Sequence, residues 1–162
     1  MTSSEARELL IALYESQSQP IFRYCAWMLR DVDEAQDALQ DIYLRAAGGI
    51  GNLRERDFAK TWLWSIAHRH LMDRLRQRQR ERRRTGNTSV LDGFAARTTD
   101  PAEALILAES MEVLSPDERE LIVLRFLREL SAQEVGVILG RTAGHVRVMT
   151  HRALRKLRDD NE

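Results

Sequence analysis

A chain of 162 residues, 31% charged and 43% hydrophobic, can bury one or two small cores, and its 25 lysines and arginines against 25 aspartates and glutamates leave no global field to draw in a polyanion. The single cysteine, Cys25, excludes an internal disulfide, and with four scattered histidines there is no zinc-ligand spacing. No glycine-rich phosphate loop or catalytic triad is legible, so neither an enzyme nor a cofactor is expected, and the lack of a leader or a membrane-length apolar run predicts a cytoplasmic protein without membrane insertion.

Apolar residues recur at helical spacing along the chain and no strand-like alternation occurs, which predicts an all-α fold. Residues before Ile11 read as a short amphipathic lead-in (Ala6, Leu9, Leu10, Leu13), and Cys25, among Tyr24, Ala26 and Trp27, reads as core packing. A helix over residues 33–45 then sets Asp33, Glu34, Asp37 and Asp41, with Gln36 and Gln40, against Ala35, Ala38, Leu39, Ile42 and Tyr43. Taken alone, this is a solvated acidic face. Over residues 52–75, Phe58, Trp62, Leu63, Ile66, Ala67 and Leu71 are expected to be buried, while Lys60, Trp64 and His68 fall on the other side. An indole among cations suits stacking on an unpaired base, worth about 1 to 3 kcal/mol, or packing against a neighbouring helix. Past Leu75 come Arg76, Arg78, Arg80, Arg82, Arg83 and Arg84, either a phosphate-binding footprint or a solvated helix end.

Residues 85–101, rich in threonine and glycine and closed by Pro101, have no sustained period and read as a linker. The expected organisation is two small helical domains, residues 1–84 and 111–162, joined by a flexible linker and lead-in helix over residues 85–110. In the second, Ser115-Pro116-Asp117-Glu118 spells a capping box with proline in the first turn, so a helix should start at Pro116, with Leu121, Ile122, Leu124, Arg125, Phe126 and Leu127 giving it a broad apolar face. Ser131 with Glu134 is a second box, opening a short helix that buries Val135, Ile138 and Leu139 and stops at Gly140. Gly136 inside that helix costs about 1 kcal/mol against alanine unless another backbone must approach it. A third helix, from Arg141 or Thr142 to about Arg158, is basic along its length, with Val146, Leu154 and Leu157 inward. Two helices at a tight turn followed by a basic one describe a helix-turn-helix with a major-groove recognition helix.

Three stretches carry a family resemblance. Asp33-Glu-Ala-Gln-Asp-Ala-Leu-Gln-Asp-Ile-Tyr-Leu-Arg-Ala resembles region 2.2 of the extracytoplasmic-function (ECF, group 4) sigma factors of the bacterial sigma-70 family. Phe58-Ala-Lys-Thr-Trp-Leu-Trp-Ser-Ile-Ala followed by Asp73-Arg-Leu-Arg resembles regions 2.3 and 2.4, and Leu114-Ser-Pro through Leu157 resembles region 4. The resemblance covers about residues 10 to 80 and 111 to 158. It implies a subunit that gives bacterial core RNA polymerase (β′ and β) its promoter specificity, with promoter DNA and an anti-sigma factor as further partners. By position, Asp37, Gln40, Asp41 and Leu44 would dock on the polymerase. Asn52, Arg54, Arg56, Lys60, Trp64, His68, Arg69 and Arg76 would meet the minus-ten element, and Arg141, Thr142, His145, Arg147, Val148, His151 and Arg152 the minus-thirty-five element.

The chain departs from the family pattern where His68-Arg69 stands for the usual Arg-Asn, and where Val148-Met149 replaces a Ser-Arg pair. Both point to an atypical promoter sequence, and Val148 offers apolar readout of a thymine methyl. A sigma-like protein that titrates an anti-sigma factor would need neither Arg147 nor the basic run from Arg69 to Arg84. A plain helix-turn-helix repressor would explain only the C-terminal third and leave Trp64 and the acidic helix unused.

Overall fold

The structure, a computed structural model, describes residues 1–85 and 113–160; the expected linker and lead-in helix over residues 85–110 fall almost wholly outside them. The described residues form helices and turns, without a strand, in two compact units, one holding residues 1–85 and the other residues 113–160.

The first unit is three helices, each touching the other two: α1 (Ser3–Leu29), α2 (Val32–Gly49) and α3 (Ala59–Thr85). The lead-in belongs to α1, which Thr2 and Glu5 open with a reciprocal capping box and Arg30 closes in the left-handed conformation at φ 57°. One residue later Asp31 caps α2, accepting from the Glu34 N–H at 3.0 Å. α2 presents mostly small side chains to its neighbours: Ala35, Ala38, Ile42 and Ala46 are buried. Its neighbours supply the bulk, with Ile21, Tyr24, Cys25 and Leu29 from α1 and Leu63, Trp64 and Leu71 from α3. Burial holds the Cys25 thiol up at about 12, which makes it an inert core residue. Among the described residues no helix is long and apolar enough to cross a membrane.

The inward face of α3 differs from the sequence expectation. Trp64 is 1% exposed and Phe58 41% exposed, while Trp62 and Ile66 are half-buried. The buried positions are Ala59, Thr61, Leu63, Trp64, Ala67, His70 and Leu71, so the face is rotated toward Trp64. The cause is α1, whose Tyr24 ring lies 5.4 Å from the Trp64 ring and whose Gln17 Oε1 accepts from the indole N–H at 2.9 Å. A paired N–H removes the cost of burying an indole.

In the second unit, α4 (Pro116–Ile122) runs on through a π-turn (Val123–Leu127), followed by α5 (Ala132–Leu139) and α6 (Ala143–Asp160). Both expected capping boxes are present. Gly140 ends α5 in the left-handed conformation at φ 70°. A Cβ at Gly136 would lie 2.6 Å from the Arg141 carbonyl oxygen, the close backbone approach that its mid-helix position foretells. α6 packs through Val146, Thr150, Ala153 and the half-buried Leu157. Leu154, expected inward, is exposed, because Ala153 and Leu157 fill the contact with Leu114 and Ile122. Phe126 is also exposed. The π-turn inserts a residue, so Leu124 stays buried but Phe126 no longer continues the α4 face.

Candidate nucleic-acid and polymerase interfaces

α2 has two polar edges with different fates. Asp33, Asp37, Gln40 and Leu44 are exposed, Leu44 at 70%. Their spacing puts them on one outward stripe. Asp41 and Glu34 sit at the edge facing α3. Arg74 Nη2 donates to Asp41 Oδ2 at 3.0 Å, and Arg78 pairs with Glu34 while donating from Nη1 to the Leu29 carbonyl at 2.7 Å. The Arg74 Nε–H donates to His70 Nε2 at 2.9 Å. A ring nitrogen that accepts carries no proton, so His70 is neutral there. Its pKa is pushed below the ordinary histidine value, first by burial and then by Arg45 and Arg74, which outweigh Asp41 and Asp73.

The arginine run of α3 is thereby sorted. Arg74 and Arg78 are structural, bound to α2, while Arg69, Arg76, Arg80, Arg83 and Arg84 are exposed. Arg76 pairs locally with Asp73 at 2.8 Å, and the Arg69 Nε–H reaches back to the Ser65 carbonyl at 3.3 Å. Upstream, Asn52 ends one 3-10 turn (Ile50–Asn52) and Arg56 opens another (Arg56–Phe58), with Arg54 between them; all three are exposed. Lys60 and His68 are half-buried. Trp64 does not join this surface. Its expected stacking on an unpaired base is overturned by its burial against Tyr24 and Gln17. The half-buried indole of α3 is Trp62, whose Cζ2 lies near enough to Gly49 that a Cβ there would come within 3.2 Å.

On α6 the buried stripe leaves His145, Arg147, Val148, His151 and Arg152 exposed, and Arg141 and Thr142, just before the helix, are exposed as well. Thr142 has a structural duty besides, since its hydroxyl accepts from the His145 N–H at 3.1 Å and caps the helix. Glu118 in α4 ties down the far end through Lys156 at 2.7 Å. Among the described residues no group of three His, Cys, Asp or Glu side chains is placed to hold a metal.

This arrangement has known counterparts. Residues 13–81 match the family "Sigma-70 region 2" and residues 110–159 match "Sigma-70, region 4". The chain is 32% identical over 156 residues to the ECF RNA polymerase sigma factor SigW of Bacillus subtilis, covering 86% of this chain and 83% of that one. The chain belongs to the ECF sigma factors of RNA polymerase. SigX, an ECF sigma factor of the same organism, is 28% identical over 93% of this chain and 82% of its own length. In fold, the chain is similar to the sigma factor RpoE of Bartonella quintana, solved in complex with the anti-sigma factor NepR, with a TM-score of 0.72 at 20% identity over 98% of this chain and 96% of that one.

For this ECF sigma factor, sequence reasoning missed the partners rather than the elements. Gln17, Arg74 and Arg78 hold Trp64, Asp41 and Glu34 across sequence separations of 47, 33 and 44 positions. Only the rough balance of acid on α2 and base on α3 hinted at the last two. The two departures from the family pattern lie at the surface: Arg69 and Val148 are exposed, and Met149 is half-buried.

Proposed function

We propose that this sigma factor docks on core RNA polymerase through Asp37, Gln40 and Leu44 of α2, with Asp41 at the edge of the dock, its carboxylate positioned by Arg74. It then melts and reads the minus-ten element with Asn52, Arg54, Arg56, Trp62, Arg69 and Arg76, and reads the minus-thirty-five element with the outward side of α6. Trp62 replaces Trp64 as the stacking ring in this reading, since it is the half-buried indole on the same helix. The observation that carries the proposal is the separation of faces in the first unit. The inward acids Asp41 and Glu34 pair with Arg74 and Arg78, while the outward acids of α2 and the outward arginines of α3, of which Arg76 pairs only locally with Asp73, stay exposed to other molecules. The protein carries no catalytic chemistry of its own and works in the cytoplasm. An anti-sigma factor is a further partner, a reading supported by the fold it shares with RpoE, solved with NepR.

Transcription in vitro with purified core polymerase on a genomic library tests this. The chain should confer defined start sites, and Asp37→Arg with Gln40→Ala should abolish co-elution with core polymerase on gel filtration while leaving the helical circular dichroism unchanged. Start sites no more frequent than with core alone would reject the initiation role. Undiminished co-elution of the double variant would move the dock elsewhere.

A further inference from the structure

The distal half of α3 extends past every residue assigned above. Trp62, Arg69, Arg76 and Arg83 recur at intervals of seven, so they lie along one slowly drifting side of the helix, with Arg80 and Arg84 beside them. At 1.5 Å per residue this side is about 30 Å long, close to one turn of B-form DNA. Its two ends have different chemistry. The Trp62 end carries an aromatic ring able to stack on an opened base, whereas residues 65–85 contain no Phe, Tyr or Trp. Instead they expose Arg69, Arg76, Arg80, Arg83 and Arg84 against only Asp73 and Glu81. The two arginines that α2 could neutralise are already neutralised, so the remaining excess is the outward one.

We infer that Arg80, Arg83 and Arg84 form a phosphate-binding rail for double-stranded DNA, gripping the spacer duplex that borders the opened minus-ten segment. A cationic, ring-free helix side offers phosphate contacts but no stacking partner, which suits the regular backbone of a duplex better than the unstacked bases of a single strand. It contacts phosphates without reading bases, so it acts equally on any spacer sequence. The inference rests on the proposed minus-ten role of α3 and extends it to a second, sequence-independent contact.

The test uses full-length Arg80→Gln/Arg83→Gln/Arg84→Gln in holoenzyme with core polymerase. Two templates are compared: a promoter with its complete spacer duplex, and a short fork that begins at the minus-ten element and lacks the spacer. On the first, the slope of log binding constant against log salt should fall by about two to three, near 0.9 per lost phosphate contact, with the same loss when the spacer sequence is scrambled. On the fork, binding should stay within twofold of the unaltered protein. An unchanged slope, or an equal loss on the fork, overturns the rail. So does a loss that appears in core assembly, which would make these arginines contacts to an acidic protein surface. Failure of the parent reading looks different: the unaltered protein would itself give no promoter-specific binding on either template.

Discussion

Trp64 is held by partners distant in sequence, Gln17 at its indole N–H and the tilted Tyr24 ring beside it, and this decides what each tryptophan of α3 can do. Replacing Trp64 by alanine should cost about 3 to 5 kcal/mol of stability, the usual range for a large buried aromatic, as read from urea denaturation. Trp62→Ala should cost far less. Its expected defect is in open-complex formation on duplex promoter DNA, nearly absent on a pre-opened bubble. Equal impairment on both templates would remove Trp62 from base stacking, and a small stability loss at Trp64 would contradict its burial. The two roles were not separable by periodicity, because positions two apart in a helix differ by over half a turn and either phase gave α3 an apolar face. Only the position of α1 chooses between them.

At the scale of elements, α6 divides its work by side. The stripe of Val146, Thr150, Ala153 and Leu157 is spent on packing, and Arg147 projects outward near the start of the helix, beside the exposed Val148. Arg147→Ala should cost about 1 to 3 kcal/mol on the preferred promoter if the guanidinium makes a bidentate guanine contact, and should relax preference at one or two base pairs of the minus-thirty-five element. Arg155 lies two turns on, its Nη2 3.3 Å from His151 Nε2, and Arg155→Ala should weaken all promoters alike. Competition among single-base promoter variants measures both. An unchanged ranking after Arg147→Ala would show that sequence is read elsewhere. The boundaries of α4 and α5 were legible in the sequence because capping boxes and a terminal glycine are local signals, complete within a few residues. The outward turn of Leu154 was not, since it depends on which of two adjacent apolar positions meets Leu114 and Ile122.

For the molecule as a whole, the two units should respond differently to acid. His70 is buried and neutral in the first unit, with its pKa held below the ordinary value, so the unfolded chain takes up a proton before the folded one does. Its contribution to stability is complete above about pH 6.5, the usual histidine value, and is lost as pH falls toward the lowered folded value. In the second unit Glu118 is partly buried, which alone would raise its pKa, but hydrogen bonds from Lys156 and from Ser115 outweigh this and hold it below the usual carboxylate value. Its contribution is lost only in the more acidic carboxylate range. Denaturation of the full chain between pH 7.5 and 5.5 should therefore loosen the first unit first, and His70→Gln, which keeps an acceptor for Arg74 but does not titrate, should flatten that dependence. A slope unaltered by His70→Gln would assign the effect to other groups. The second unit carries a different consequence, in the turn where Gly136 meets the Arg141 carbonyl, Gly140 ends α5 and Thr142 caps α6. That turn is fixed by backbone contact and caps, so the outward side chains of α6 are not needed to shape it. On the promoter-reading role proposed for α6, heritable change at Arg147, Val148 or His151 would redirect which genes are transcribed without first having to rescue a damaged fold.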